Sequence, residues 1–299
     1  MPDGRNVLNN FALDPKMMLG APTLAVRDLE RSLSYYEKDL GLTVLGTKQD
    51  RAEHKFVELS ASSIGSGEPL LILGHDSSAK KPLYNSAGLY HFAILVPDRE
   101  SLALTFLALG NRGVYFEGYA DHLVSESLYL RDPEGNGIEI YRDRPREEWK
   151  YDKDHHIVMD TLPLDFSSLL SGLKREERKN AKSFPRGARI GHMHLKVTNL
   201  ERSKKFYSET LGFDLTSDWS GFGALFLSVG GYHHHIGMNI WESKGGPPSS
   251  SRDAGLDHFT MILPNANALE DLALHLGLEK KREISFSDPD GIRIQARQD

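Results

Sequence analysis

The feature of the sequence that most constrains the fold is an internal repeat. Residues 20–36 reappear, with closely similar residue types in the same order, as residues 191–207. A second pair relates residues 88–97 to residues 255–264. Self-similarity of this kind indicates that a chain is built from copies of one supersecondary unit. The sequence therefore predicts four units, which begin near residues 19, 88, 190 and 255.

Each unit reads as a strand, an Asp or Asn helix cap, an amphipathic helix and further strands. The second unit ends in a hairpin around Asp-Pro-Glu-Gly at 132–135, and the fourth repeats it as Asp-Pro-Asp-Gly at 288–291. Proline fixes φ and glycine accepts positive φ, so both motifs predict tight turns. Such a unit cannot cover both faces of a curved sheet, and we expect units to pair into half-barrels. The predicted fold class is α+β, with four βαβββ modules in two half-barrel domains.

The connection between the second and third units contains charged runs and one predicted helix over residues 164–182, with leucines at helical spacing. We expect it to form a surface bridge. The predicted domain organisation is modules one and two in residues 1–145, a connecting segment with a helix in 146–189, and modules three and four in 190–299.

Composition narrows the chemistry of any site. The 299 residues contain no cysteine, so thiolate metal sites and thiol nucleophiles are excluded, and a metal would have to bind His, Asp, Glu or water. The net charge of −6 argues against nucleic acid or an anionic membrane as the main partner. No apolar run reaches membrane-spanning length and no signal pattern is present at the start, so we expect a cytoplasmic protein.

The paired units, the histidines early in strands and the Asp-Pro-x-Gly-x-x-Ile-Glu hairpin resemble the vicinal oxygen chelate superfamily. This superfamily includes glyoxalase I, bleomycin-resistance proteins and type I extradiol dioxygenases, and the resemblance covers nearly all the chain outside 142–189. Residues 88–95 and 232–241 more closely resemble bacterial catechol-2,3-dioxygenase-like proteins. The resemblance implies cleavage of catechol or a substituted catechol by O2 to a 2-hydroxymuconate semialdehyde. It also implies Fe(II), with Mn(II) as the alternative metal, and allows a homo-oligomer.

The superfamily places metal ligands early in the first strand and in the last strand of a unit. These positions hold Ala21 and no polar residue in unit one, His91 and Glu139 in unit two, His192 and Asn239 in unit three, and His258 and Gln295 in unit four. Two histidines and one carboxylate form the ligand set that suits non-heme Fe(II). Only units two and three together supply it, as His91, Glu139 and His192. We therefore predict that unit two pairs with three and unit one with four. Sequential pairing would instead give the weaker set His192, His258 and Gln295.

Three consecutive histidines precede Asn239. Strand alternation, counted back from Asn239, places His233 and His235 on its face and His234 on the opposite face. By resemblance to the dioxygenases, His235 is the predicted residue that handles protons at dioxygen, and His is the side chain that titrates near neutrality. His233 and Asn239 are predicted to contact substrate.

Two further candidates come from the second unit. Tyr129 lies ten positions before Glu139 across the hairpin and resembles the tyrosine that binds a substrate oxygen in the dioxygenases. His122 resembles their further active-site histidine, although the segment between it and Tyr129 is shorter here. His194 shares a face with His192 and is predicted to line the substrate pocket.

Two alternative functions remain open. A glyoxalase-like metal-dependent isomerase or lyase resembles a four-ligand site with two carboxylates, and Asn239 and Ala21 argue against it. A metal-free binding protein of the bleomycin-resistance type would leave the set of His91, His192 and Glu139 unexplained. Because one fold hosts many functions, the choice depends on the site.

Overall fold

The computed structural model describes residues 11–50, 53–61, 68–181 and 184–299. The strands are β1 (Met18–Leu19), β2 (Thr23–Val26), β3 (Thr43–Gln49), β4 (Lys55–Ser60), β5 (Leu71–His75), β6 (Gly88–Leu95), β7 (Gly118–Asp121), β8 (Ser125–Arg131), β9 (Gly137–Asp143), β10 (Arg189–Lys196), β11 (Asp214–Trp219), β12 (Ala224–Ser228), β13 (Ile236–Asn239), β14 (Gly255–Leu263), β15 (Glu283–Ser287) and β16 (Arg293–Gln298). The α-helices are α1 (Leu29–Ser34), α2 (Arg99–Asn111), α3 (Phe166–Ser171), α4 (Arg175–Asn180), α5 (Leu200–Lys204) and α6 (Ala266–His275). In this described part of the chain, no helix has the length and apolarity needed to cross a lipid bilayer.

The strands form two eight-stranded sheets whose order confirms the predicted pairing of units. One sheet runs β15-β16-β14-β2-β5-β4-β3, with β1 added beside β14, and joins the fourth unit to the first. The other runs β11-β12-β13-β10-β6-β9-β8-β7 and joins the third unit to the second. At both joints the first strands of two units pair antiparallel, β14 with β2 and β10 with β6.

Alternation within β9 separates the apolar core from the concave face of the second sheet. Ile138 and Ile140 are fully buried in the main hydrophobic core, together with Leu102 and Leu109 of α2. Glu139 therefore projects from the opposite face of the strand, as the sequence predicted. The same sheet thus supplies a packed apolar side and a polar inner side.

The first helix of units one and three has the same construction in both. Asp28 accepts a hydrogen bond from the backbone N–H of Arg31 at 3.0 Å, and Asn199 accepts one from Arg202 at 3.0 Å. Side-chain oxygens at this position satisfy backbone donors that the first helical turn leaves free. Each α-helix then continues into a π-helical segment, Tyr35–Leu40 in unit one and Lys205–Thr210 in unit three.

These π-helical segments bring a tyrosine to the hairpin of the following unit. The Tyr36 hydroxyl donates to Oδ2 of Asp132 at 2.8 Å, and the Tyr207 hydroxyl donates to Oδ2 of Asp288 at 3.2 Å. The acceptors are the aspartates of the two Asp-Pro-x-Gly turns. Units one and two, and units three and four, are therefore linked by buried hydrogen bonds, whereas units two and three, and four and one, are linked by their sheets.

The connecting segment differs from the predicted bridge. The helix expected over 164–182 is two shorter helices, α3 and α4, which are separated by Gly172–Lys174. Trp149 and Ile157 are buried against Val124 and Tyr232, so this part of the segment packs on the second sheet. Apolar contacts across a wide sequence separation, which local patterns do not reveal, hold it there.

Candidate active site

Three buried side chains converge on the concave face of the second sheet. Nε2 of His91 lies 2.9 Å and Nε2 of His192 lies 3.1 Å from Oε2 of Glu139, and the two nitrogens are 3.3 Å apart. Ligand atoms about 2.1 Å from an ion and at right angles to one another are about 3 Å apart. The three atoms therefore have the spacing of one face of an octahedral metal site. In the chain as described, no other group of three potential ligand residues meets this closely.

The protonation states of His192 and Glu139 fit metal ligation. Burial lowers the pKa of His192 to about 4, so its imidazole is neutral near pH 7. Burial alone would raise the pKa of Glu139, but Coulombic attraction and hydrogen bonds from His192 and His91 hold it well below its usual range. Nδ1 of His192 is buried and has no hydrogen-bond partner within the described residues. A neutral imidazole and an ionised carboxylate form a donor set suited to a divalent ion.

Neighbouring residues on the same strands fix the orientation of these ligands. Glu139 pairs with Tyr129 across β9 and β8, and the Ser127 hydroxyl donates to Oε1 of Glu139 at 2.6 Å. His192 lies beside Gly191, where a Cβ atom would collide with the hydroxyl of Tyr141. Glycine is therefore required before His192, because the tyrosine ring occupies the space that a side chain would need.

The three residues line one wall of a cavity of about 410 Å³. Aromatic and aliphatic side chains form much of the remaining wall, and a small number of polar groups face the same space. The cavity includes Tyr90, Val124, Ser125, Tyr129, His122, Met159, Thr161, His194, Trp219, Phe226, His234 and Trp241. A largely apolar enclosure with few polar groups is typical of sites for small organic molecules.

Tyr129 and His122 face the cavity as a hydrogen-bonded pair. His122 Nδ1 lies 2.7 Å from the carbonyl oxygen of Asp160, which can only accept, so Nδ1 carries the proton. Nε2 of a neutral His122 therefore accepts from the Tyr129 hydroxyl, 2.7 Å away. Burial, with the nearby charge of Glu139, raises the pKa of Tyr129 well above its ordinary value. The phenol stays protonated and is held in a fixed direction.

The expected orientation of the histidine triplet is not met. His234 lines the cavity, and its ring centre lies 4.1 Å from that of His192. His235 instead bonds the Ser228 hydroxyl through Nδ1 at 2.7 Å, and His233 bonds Asp143, so both lie outside the cavity lining. Alternation fails because residues 232–235 precede β13 and form no regular strand. The pair Gly230-Gly231, both at positive φ in the structure, was the sequence signal for a turn before the strand.

His194 reaches the cavity and Asn239 does not. The two side chains are hydrogen-bonded, with Asn239 Nδ2 and His194 Nε2 3.0 Å apart, and Asn239 is fully buried behind the ring. His194 also pairs with His91 across β10 and β6, with ring centres 4.9 Å apart. A Cβ at Gly237 would lie 2.9 Å from Nδ1 of His194, so the ring needs glycine there. Asn239 therefore orients a wall residue and does not itself face the space for substrate.

The connecting segment contributes cavity residues that the sequence did not identify. Met159 and Thr161 line the cavity, and the carbonyl of Asp160 holds His122. Backbone hydrogen bonds of 2.9 Å in both directions between Asp121 and Leu162 fix this stretch beside β7. The apolar run at 157–159, from Ile157 to Met159, within a charged stretch was the available signal.

The weaker alternative ligand set is not assembled. His258 and Gln295 lie on β14 and β16 of the first sheet, whereas His192 lies on β10 of the second. His258 contacts the Thr23 hydroxyl at 3.2 Å and Asp257 at 2.7 Å. These contacts give it local hydrogen-bonding partners.

Comparison with known proteins gives one family and consistent relatives. The family model described as Glyoxalase/Bleomycin resistance protein/Dioxygenase superfamily matches residues 18–140 and 189–296. The catechol-2,3-dioxygenase of Bacillus subtilis (strain 168) is 43% identical over 255 residues, which are 85% of this chain and 86% of that protein. The two ranges that the family model matches leave out most of the connecting segment.

Solved structures share the fold at low sequence identity. A putative dioxygenase from Bacillus subtilis subsp. subtilis str. 168 superposes with a TM-score of 0.62 at 10% identity, covering 94% of this chain and 84% of that one. Glyoxalase I from Zea mays superposes with a TM-score of 0.53 at 18% identity, covering 94% and 92%. At these identities the likeness concerns the architecture alone.

Proposed function

Because the chain belongs to the Glyoxalase/Bleomycin resistance protein/Dioxygenase superfamily, and its cavity holds a two-histidine, one-carboxylate set, we propose that it is an extradiol dioxygenase. The proposed reaction cleaves the ring of catechol or a substituted catechol next to the diol and gives a 2-hydroxymuconate semialdehyde. Both atoms of O2 enter the product, so no further oxidant or reductant is needed. The observation that carries the proposal is the triangle of His91 Nε2, His192 Nε2 and Glu139 Oε2.

The proposed cofactor is Fe(II), with Mn(II) as the alternative, held by His91, Glu139 and His192. When bound, the ion supplies the positive charge that favours an ionised diol and the open positions and electrons that dioxygen chemistry requires. A single carboxylate ligand leaves that charge only partly neutralised. The protein contributes the dry, shaped cavity and the orientation of the ligands.

Tyr129 and His122 are proposed to hold one substrate oxygen. The Tyr129 hydroxyl is protonated and lies on the cavity wall beside Glu139, so it can turn its proton from His122 to an oxygen of a bound diol. His122 donates its Nδ1 proton to the carbonyl of Asp160, which fixes the imidazole ring. The fixed ring in turn holds the Tyr129 hydroxyl in one position. Fixed hydrogen bonds of this kind orient a substrate without reorganisation during the reaction.

His234 takes the proton-handling role that the sequence predicted for His235. It is the histidine of the triplet that lines the cavity, and it packs directly on His192. Burial lowers the pKa of His234 well below its ordinary value, so the free ring is neutral and has a nitrogen lone pair to offer. It accepts a proton from a diol hydroxyl and returns it to the ring-opened product. His194 and the aromatic wall enclose the ring of the substrate.

The catechol-2,3-dioxygenase name of the Bacillus subtilis relative supports this proposal. The glyoxalase-like alternative is less well supported, because Asn239 provides an amide and is bonded to His194 instead of facing the ligand triangle. A metal-free binding protein would have no use for a buried carboxylate between two imidazoles, which is costly unless a cation or hydrogen bonds compensate it.

The test is anaerobic reconstitution with Fe(II), followed by elemental analysis and by addition of catechol in air. We expect one ion per chain and growth of the yellow semialdehyde absorbance. Mn(II) loading in parallel identifies the active metal. Stoichiometric metal without semialdehyde would point to a different reaction at the same centre, and the absence of both would refute the proposal.

A further inference from the structure

Two hydrogen bonds, one buried and one partly buried, lead away from the cavity behind His234. Nδ1 of His234 lies 2.8 Å from Nδ1 of His233, and Nε2 of His233 lies 2.8 Å from Oδ1 of Asp143. His233 is fully buried, whereas the Asp143 side chain is 26% exposed and reaches solvent. The three residues therefore form a line from the cavity wall to the surface.

With the Asp143 carboxylate ionised and both imidazoles neutral, the direction of both bonds is fixed. An ionised carboxylate only accepts, and a neutral imidazole carries one N–H. His233 therefore donates its Nε2 proton to Asp143, and its Nδ1 accepts a proton from Nδ1 of His234. The remaining nitrogen of His234, Nε2, carries no proton, and it is the one left available to the cavity that His234 lines.

The surroundings keep this line in place. The Tyr232 hydroxyl donates to the same Oδ1 of Asp143 at 3.1 Å and is itself 2.7 Å from the hydroxyl of Tyr141. Trp149 of the connecting segment packs edge to face on His233, with ring centres 5.5 Å apart. These contacts hold the carboxylate and the middle imidazole, so the His234 ring has one favoured orientation.

We propose that Asp143 and His233 are positioning residues, which hold His234 in the tautomer protonated on Nδ1 with Nε2 directed to bound substrate. This inference rests on the proposed function, because the tautomer has a catalytic consequence only if His234 accepts a proton. The opposite tautomer would present an N–H to the diol and could not accept. The hydrogen bonds from Asp143 through His233 thus select the tautomer of His234 that can accept a proton. Neither Asp143 nor His233 needs to touch the substrate to have this effect.

The first measurement uses the metal-free protein and reads the tautomer directly. Long-range proton–nitrogen correlation spectra of protein labelled with nitrogen-15 histidine distinguish Nδ1–H from Nε2–H rings, and loss of signals in His234→Gln assigns the residue. We expect His234 to be protonated on Nδ1 in the wild type. We expect the same in Asp143→Asn, whose amide oxygen still accepts from His233. In Asp143→Leu, His233 has lost its acceptor, so His234 should populate both tautomers.

Three results would overturn the proposal: His234 protonated on Nε2 in the wild type, an unchanged spectrum in Asp143→Leu, or equal changes in the Leu and Asn variants. Because Asp143 reaches solvent, both variants are expected to fold. Should Asp143→Leu fail to fold, the wild-type spectrum and the Asn variant still decide the tautomer. None of these readings requires bound metal or ring cleavage.

The second measurement connects the tautomer to turnover. In Fe(II)-loaded protein, Asp143→Leu should lower kcat by at least about tenfold, with little change in KM, because acid–base catalysis acts in the reacting complex. Asp143→Asn should retain most of kcat. Equal kcat values in all three proteins would contradict the catalytic part of the inference. Absence of ring cleavage in the wild type would refute the proposed function but leave the tautomer assignment standing.

Discussion

The Ser127 hydroxyl donates a 2.6 Å hydrogen bond to Oε1 of Glu139, while Oε2 of the same carboxylate faces His91 and His192. One oxygen is thereby anchored and the other is left for the ligand triangle. Residues that orient a metal ligand typically affect metal affinity by about 10- to 100-fold. Ser127 therefore belongs to the candidate metal centre, because it orients the carboxylate of Glu139.

Replacing Ser127 by Ala should weaken metal binding by about 10- to 100-fold, because the carboxylate loses its anchor and can rotate away from the histidines. Anaerobic titration with Fe(II) measures the effect. Ser243→Ala is the matched control, since that buried hydroxyl bonds the backbone carbonyl of Val197 and no ligand residue. Equal affinities in the two variants would show that the Ser127 bond does not support the ligand.

Replacing Tyr129 by Phe should lower kcat/KM for catechol by about tenfold and leave the metal content unchanged. The ring and its packing remain, and only the hydroxyl that is proposed to bind a substrate oxygen is lost, which corresponds to one hydrogen bond of about 1.4 kcal/mol. Steady-state kinetics with elemental analysis of the same sample tests this. A variant that has lost its metal would instead place Tyr129 among the residues that support the ligands.

Replacing Glu139 by Gln should lower metal affinity by more than about 100-fold, beyond the range typical of supporting residues, and should abolish ring cleavage. The amide keeps the size of the side chain but removes the negative charge between His91 and His192. Gln295→Ala is the control, because Gln295 holds the corresponding last-strand position in the other sheet. Loss of metal in Gln295→Ala but not in Glu139→Gln would show that the metal site lies in the other half-barrel, which contains Gln295.

Asp288 should make the protein lose stability as pH rises from about 4 to 7. Burial raises the pKa of this carboxyl to about 6 in the folded protein, above its ordinary value of 3.8, because ionisation inside the fold is unfavourable. The folded state therefore binds the proton more tightly than the unfolded state, so this contribution is fully present below 3.8 and is lost as pH passes 6. The pKa difference corresponds to about 3 kcal/mol at most.

The measurement for Asp288 is the difference in melting temperature between the wild type and Asp288→Asn at pH 4.5 and pH 7.5. Asparagine keeps an oxygen for the backbone N–H bonds, which Oδ1 of Asp288 accepts, and offers an N–H to the Tyr207 hydroxyl, which bonds Oδ2, but it does not ionise. We expect the melting temperature of the variant to increase relative to that of the wild type as pH rises. A difference that is constant with pH would mean that Asp288 does not titrate in this range.

The architecture and the ligand triangle followed from the sequence because both depend on repetition. Once four units were aligned, Glu139 was the one carboxylate at a last-strand ligand position, and it selected the pairing that the sheets adopt. The orientation of His234 could not be obtained in this way. Alternation holds only where ladder hydrogen bonds impose it, and residues 232–235 lie in a turn before β13.

The part of the connecting segment that covers the site was also beyond local patterns. Trp149 packs on His233, which lies 84 positions later in the chain, and Met159 lines the cavity. Periodicity reports only local structure and cannot predict contacts across such a separation. A buried tryptophan in a charged stretch indicates an apolar contact somewhere, but it does not identify the partner. Contacts of this type become visible only in three dimensions.

The pairing of unit two with three and of unit one with four predicts an order of assembly, because the two sheets must close different lengths of chain. The sheet that carries the candidate site is made from strands between residues 88 and 239, whereas the other must bring Thr23–Val26 to Gly255–Leu263. Closure of long loops delays the contacts that depend on them. During refolding, we expect the middle of the chain to gain protection from hydrogen exchange first. The sheet that joins the two ends of the chain should form last.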